Sequence, residues 1–526
     1  MSYQSHDWRL AEDTIAPPAR TALKPSIVWS RVLPVLTAIA ILVGSFRRAF
    51  VGRDLPIWFD EIFSAAIADH PDFATFITRC LHELSGPVYY SILWLWVKVA
   101  GISDSALRFP SLACALATPL IILRWGHPDR QTRMIWAGII AVLLPVTYHA
   151  AEARPYALIV LMATGQAIAL ANLLRRPSSQ SAWWWSCLSA LMILTHYFTL
   201  IVTGLQALLI LARGREAIKW KSLTPILPVA AWMSVHFATI IAFARPGGAS
   251  FYSVMPISAL PMITEAIVGT APFGVVLIAL IAGTSIGSWV MPALQQVRKS
   301  FQKWDVVTAA TGWGAIAFVT TAALLYPCFS PRYFVPFLPS AMFGVALWAR
   351  AWSARIPAFG SVIVLVFLML GVRETANHAM KVPLDSYASL NFASASRYIG
   401  TAHPRRLIFF WGSSKATVDI PLFNEVAGFE LKRAGHPVSV RTLIVPDPNT
   451  DPNHALIDVA TRPGDAILWS YDTSRIRGAL VTQHRAALSR LDPTWACRDF
   501  GQKPIAVVAC IKPRPVAASG PAFRRS

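Results

Sequence analysis

The chain has 526 residues, 55% of them hydrophobic and only 14% charged, with a formal charge of +20. Soluble chains carry about 25% charged residues, so a soluble globular protein is excluded. The basic excess falls in short loops between apolar runs, not on a basic face interleaved with aromatics, which excludes a nucleic-acid binder and points to a polytopic membrane protein.

The polar N-terminus leads into an apolar run with no A-x-A cleavage site, which reads as a retained first span. Apolar runs of about 20 residues match bilayer hydrocarbon. They place eleven spans near 30–49, 107–124, 134–150, 155–174, 182–197, 199–213, 224–243, 270–292, 306–326, 333–349 and 357–373. The segment Gly86–Gly101 is apolar but only about 15 residues long, which suits an interfacial helix. If it stays out of the membrane, the clusters Arg124/Arg130/Arg133, Arg175/Arg176, Arg213/Arg215/Lys219/Lys221, Arg298/Lys299/Lys303 and Arg350/Arg355 share one side with Arg20, Lys24 and Arg31. That side is then cytoplasmic. Arg47, Arg48 and Arg53 count against this orientation.

Beyond residue 374 the apolar runs shorten to strand length at 407–411, 438–445, 466–469 and 505–511. Helical stretches at Ile420–Ala434 and Thr482–Leu491 lie between them, a pattern for a small α/β domain. The expected fold is therefore a polytopic α-helical membrane protein of about eleven spans with a C-terminal α/β domain on the periplasmic side of a bacterial inner membrane. The expected divisions are a transmembrane domain at 1–373, with its first outer loop at about 50–106, the α/β domain at 374–512 and a disordered tail at 513–526. Cys80, Cys114, Cys187, Cys328, Cys497 and Cys510 show no zinc spacing. Cys497 and Cys510 can pair if their domain lies outside.

This orientation gathers four polar-aromatic motifs on the outer face. They are Trp58-Phe59-Asp60-Glu61, Leu107-Arg108-Phe109-Pro110, Glu152-Ala153-Arg154-Pro155-Tyr156 and Pro331-Arg332-Tyr333. An adjacent acidic pair so near the bilayer is costly, and a carboxylate there suits a general base. The plainer alternative is a pair of solvated loop acids. Arg108, Arg154 and Arg332 suit phosphate recognition through the planar guanidinium fork. Taken singly, each is equally a snorkelling arginine beside a belt aromatic, such as Tyr156 or Tyr333. His196 is a metal ligand, a donor contact or a packing histidine. Together, one acidic pair and three arginines suit an anionic lipid-phosphate leaving group beside a base.

These motifs resemble the C-type glycosyltransferase superfamily, in the branch holding protein O-mannosyltransferases and lipid A aminoarabinose transferases. The likeness runs from about residue 30 to 350 and includes Gly86-Pro87-Val88-Tyr89-Tyr90, Gly101 to Ser111, and His196-Tyr197-Phe198. It implies a polyprenyl-phosphate sugar donor, an inverting transfer and no nucleotide. It also implies Asp60 as catalytic base, with Glu61 beside it, and in some members a divalent metal. Ser85-Gly86-Pro87 departs from the His-Pro-Pro or Lys-Pro-Pro of many relatives, and His82 and Glu83 stand nearby as other donor or metal contacts. The expected activity is transfer of a sugar from that donor to a hydroxyl on a glycan, lipid or protein acceptor, among membrane lipids. The rivals are a transporter or flippase of lipid-linked glycans and a glycan ligase or polymerase. A transporter would place ionisable residues at the midplane of spans that here are almost free of them.

Overall fold

The computed structural model describes residues 27–51, 55–83, 85–214, 218–244, 254–291, 301–326, 330–380, 384–412, 420–445, 461–472, 486, 493–500 and 505–514. The chain begins with a long apolar helix, α1 (Ile27–Phe50), followed by three short helices, α2 (Phe59–Ala68), α3 (Phe73–Leu81) and α4 (Pro87–Ala100). The bundle continues through α5 (Asp104–Trp125), α6 (Arg130–Val142), α7 (Leu144–His149), α8 (Tyr156–Arg175), α9 (Ser179–Ile193) and α10 (Thr199–Leu209). Beyond these come α11 (Trp220–Leu223), α12 (Leu227–Ala244), α13 (Leu260–Val268) and α14 (Ala271–Val290). It closes with α15 (Lys303–Leu325), a 3₁₀ turn at Pro331–Phe337, α16 (Leu338–Ser353) and α17 (Phe359–Met380).

Local chemistry sets the starts of these helices. Asp72, Ser103 and Asp129 cap α3, α5 and α6 by accepting from backbone N–H groups. Pro87 opens α4, where its missing N–H is harmless. Among the described residues, eight helices are long and apolar enough to cross a membrane. All eleven segments expected to span are helical, but 134–150 is broken at Leu143, whose backbone is extended. The cause is Pro145, which lacks the N–H that would bond the Ala141 carbonyl and whose ring crowds that carbonyl, so a new helix starts with it in the first turn. Gly86–Gly101 forms the short helix expected of it. Its Leu95 and Val99 are 60% and 85% exposed, an apolar face suited to the bilayer surface.

Successive long helices reverse direction, so two sets of helix ends form. One set holds the connections after α5, α8 and α16. There Asp305 binds His127 and Arg175, and Asp129 binds Arg350. The other set holds α2, α4, the starts of α5 and α8, and the 331–337 turn. Arg48 lies inside the bundle near this second end and is 3% exposed. Its Nη1 and Nη2 donate to the Ala115 and Ile140 carbonyls at 3.1 and 3.0 Å. Arg47 is likewise buried. Both are interior groups here, which is why they depart from a tally of loop charges.

The last bundle helix runs on to Met380, past the 373/374 division expected from composition. Beyond it lie α18 (Leu384–Thr401), β1 (Arg406–Gly412), α19 (Ile420–Arg433), β2 (Ser439–Val445), β3 (Asp465–Asp472), β4 (Ala496–Phe500) and β5 (Ile505–Ile511). The sheet order is β2-β1-β3-β5-β4, with β2, β1 and β3 parallel and the last two strands antiparallel. Alternation along β1 divides its side chains. Leu407 and Phe409 join the core continuous with the bundle, while Ile408 and Phe410 pack with Trp469 and Trp495 on the other face. Cys497 and Cys510 are directly opposed on β4 and β5 and form a disulfide. The helix expected at Thr482–Leu491 and the tail from 515 lie outside the described residues, Ala486 excepted.

Candidate active site

Asp60 and Glu61 sit in the first turn of α2 and meet different partners. Glu61 is fully buried. Its Oε1 accepts from Arg108 Nε at 2.8 Å and Ala153 N at 2.7 Å, and its Oε2 from Arg108 Nη2 at 2.7 Å and Trp58 N at 3.0 Å. Arg108 also donates to the Leu55 and Pro56 carbonyls. The sequence placed Glu61 in catalysis and Arg108 on the donor phosphate. The structure instead joins them into a clamp that ties α2 to α5 and to the turn before α8. With four donors already on Glu61 and a carboxylate filling the Arg108 fork, neither group is open to a substrate.

Asp60 is a quarter exposed, and its Oδ2 accepts from Arg332 Nη1 at 2.5 Å. Arg154, 7% exposed, donates through Nη1 to the Asp60 carbonyl at 3.1 Å and to Ser64 Oγ at 3.3 Å. Its buried Nε meets no hydrogen-bond partner among the described residues. Burial pushes the Asp60 carboxyl up, but Arg332 and Arg154 outweigh it and hold the group below its usual range. Two guanidinium groups therefore flank an ionised carboxylate at the rim of the bundle.

His196 lies beside them. Ser85 bridges to His196, and Gly86 and Val88 donate to the carbonyls of Thr195 and Leu194. A Cβ at Gly86 would stand 2.0 Å from the Leu194 oxygen, so this close crossing requires glycine. The His196 ring is only half-buried here. The Tyr156 and Tyr333 rings lie 6.3 and 5.7 Å from that of His196. Tyr333 stacks on Phe198 at 3.8 Å with 13° between planes, and the Arg332 guanidinium is 6.0 Å from the Tyr333 ring. Glu83 lies within electrostatic reach of Arg154. His82 stays exposed at the end of α3, with Nδ1 2.8 Å from the Thr78 carbonyl.

His149 and Ser64 escaped the sequence reasoning. His149 Nδ1 lies 3.0 Å from Glu152 Oε2, and its ring is 4.8 Å from Tyr156. The i,i+3 spacing of His149 and Glu152 was the available signal. Among the described residues no three His, Cys, Asp or Glu side chains form a group able to hold a metal. One carboxylate between two guanidinium groups is a poor divalent-cation site, so no step is routed through a metal.

No family model matches the chain. Its chain course is similar to that of ArnT. The solved structure of ArnT from Cupriavidus metallidurans in the apo state shares 13% identity and a TM-score of 0.49, covering 90% of this chain and 97% of that one. The structure of the same protein bound to undecaprenyl phosphate gives 13% identity and a TM-score of 0.47 over the same shares. A glycerol-3-phosphate acyltransferase of Maricaulis maris (strain MCS10) is 31% identical over 108 residues, 20% of this chain. The chain spans under half, 44%, of that relative's length.

Proposed function

We propose that this protein transfers a sugar from a polyprenyl-phosphate donor to an acceptor hydroxyl, with Asp60 as general base. The observation that carries the reading is the Asp60–Arg332 pair with Arg154 beside it, at a rim where lipid-borne phosphate and polar acceptor can meet. The donor class follows from the resemblance carried by the ordered motifs. Arg154 and Arg332 receive the donor phosphate. As Arg332 turns to the phosphate, Asp60 loses its strongest cationic partner and becomes a better base. The acceptor oxygen attacks the anomeric carbon while its proton passes to Asp60. The bond from that carbon to the phosphate oxygen breaks, and the electron pair leaves on polyprenyl phosphate, with inversion. The arginines stabilise the charge developing there. His196 serves as a hydrogen-bonding group, and Tyr333 on Phe198 offers a flat wall to the sugar. Glu61 and Arg108 act by holding α2.

The same reading places the site and the α/β domain on the periplasmic face of a bacterial inner membrane. The disulfide between Cys497 and Cys510 supports this, since disulfides persist in oxidising compartments. The basic loops at the opposite helix ends support it independently. The test compares a deletion strain carrying wild-type protein with one carrying Asp60→Asn, by mass spectrometry of envelope glycans and polyprenyl-phosphate sugars. A sugar restored to a glycan only by wild type is expected. Equal restoration by Asp60→Asn would remove Asp60 as base and bring the transport reading forward.

A further inference from the structure

The site is carried by α2, which is held from two directions. Glu61 clamps it to the bundle. Phe59, on the other side of Asp60 in sequence, stacks on Trp411 at the carboxyl end of β1, with ring centres 4.7 Å apart and planes within 6°. Phe392 and Phe423 meet Phe59 edge-on at 5.8 and 6.5 Å, and Phe63 meets Phe423 at 5.0 Å. Farther along, Lys432 Nζ lies 2.7 Å from Asp69 Oδ2, and Glu425 takes both Arg79 and His70. The α/β domain therefore grips α2 along its length, through one core shared with the bundle.

Helix geometry gives this double grip its meaning. Successive residues turn by about 100°, so Phe59 and Glu61 project about 100° to either side of Asp60. A clamp on Glu61 alone leaves α2 free to roll about that contact. A second clamp on Phe59 removes the roll and fixes the direction of the Asp60 side chain. The sheet supplies a rigid anchor, because β1 is hydrogen-bonded on both sides, to β2 and to β3. Its carboxyl end, flanked by parallel strands that the chain reaches in opposite directions, is where open α/β sheets receive groups from outside.

We propose that the C-terminal domain is a working part of the transfer site and that Trp411, acting through Phe59, is a positioning residue for Asp60. This rests on the reading of Asp60 as base. Misplacing a reacting group by about 1 Å can cost on the order of a hundredfold in rate. The experiment uses full-length wild type, Trp411→Ala, Trp411→Phe, Phe59→Leu and Asp60→Asn, purified and returned to lipid. Membrane extract from a strain lacking the protein supplies donor and acceptor, and the product glycan is measured by mass spectrometry over a series of extract dilutions. For Trp411→Ala we expect a limiting rate lower by on the order of a hundredfold, with the half-saturating dilution little changed. Trp411→Phe should recover most of that rate. Phe59→Leu, which keeps an apolar group but not the stack, should fall between them, and it decides the matter if Trp411→Ala does not fold. A wild-type limiting rate in Trp411→Ala or Phe59→Leu overturns the proposal, as does a loss in Trp411→Ala that Trp411→Phe does not repair. Absence of product from wild type refutes the transfer reading itself, and activity in Asp60→Asn refutes the base; either result takes this proposal with it.

Discussion

Replacing Glu61 by Gln tests the clamp directly. The carboxylate receives four donors in a fully buried setting, two from Arg108 and two from the backbone of Trp58 and Ala153. Gln turns one oxygen into an NH₂ group. Whichever way the amide lies, that group faces one guanidinium N–H and one backbone N–H, donor against donor. It also leaves the Arg108 charge without its counter-ion. Breaking a buried ion pair from one side costs about 3–5 kcal/mol, a large part of the ~5–15 kcal/mol that holds a typical domain folded. Denaturant titration in lipid or mild detergent, followed by near-UV signal, measures the loss. Removing the second charge as well, in Glu61→Gln/Arg108→Gln, should cost less than the sum of the two single changes, because one unpaired charge disappears. A Glu61→Gln protein within about 1 kcal/mol of wild type, or strict additivity in the double variant, would refute the clamp.

Three further outcomes are expected. The Asp60 carboxyl is depressed in the folded state, so its pairing with Arg332 contributes stability at neutral pH that is lost only as pH falls through the folded value. The melting difference between wild type and Asp60→Asn should therefore hold steady down to about pH 4 and shrink below it; a difference that fades near pH 6 would contradict the assignment. Gly86→Ala would set a Cβ 2.0 Å from the Leu194 oxygen, so the crossing beside His196 must open. Transfer should fall by at least tenfold, about 1.4 kcal/mol in barrier, and a fully active, normally stable variant would show that the crossing is unimportant. Reduction of Cys497–Cys510, or Cys510→Ser, should destabilise the α/β domain by about 3 kcal/mol for a closed loop of this size. Proteolysis of the domain with and without reductant reads this, and equal protection would oppose it.

The spans were legible because a long apolar run has few alternatives in a chain so poor in charge. The break at Leu143 was not anticipated, since Pro145 sat inside a run whose hydropathy never dipped. The two inner parallel strands, β1 and β3, were legible for the same reason as the spans, being buried on both faces and almost wholly apolar. β4 was missed because Ala-Cys-Arg-Asp-Phe is a polar edge strand, recognisable only through its partner β5. At the site, sequence supplied the members but not the pairing. Asp60 meets an arginine 272 positions away, and Glu61, its immediate neighbour, meets a different one. That choice is made by which helices pack together, and no local spacing encodes it. The same holds for Phe59 and Trp411, which look like scattered aromatics until the α/β domain folds against α2.

The two arginines buried near the end of α1 bear on how the molecule is made. Arg48 finds its acceptors on Ala115 and on Ile140, which lies 92 residues further along the chain. During synthesis α1 emerges with two charges near its C-terminal end and nothing to receive them. It cannot settle to its final depth until α5 and α6 have followed. The first span is therefore matured by its successors, and a ribosome stalled before residue 140 should leave α1 displaced toward the interface, where water can still solvate Arg47 and Arg48.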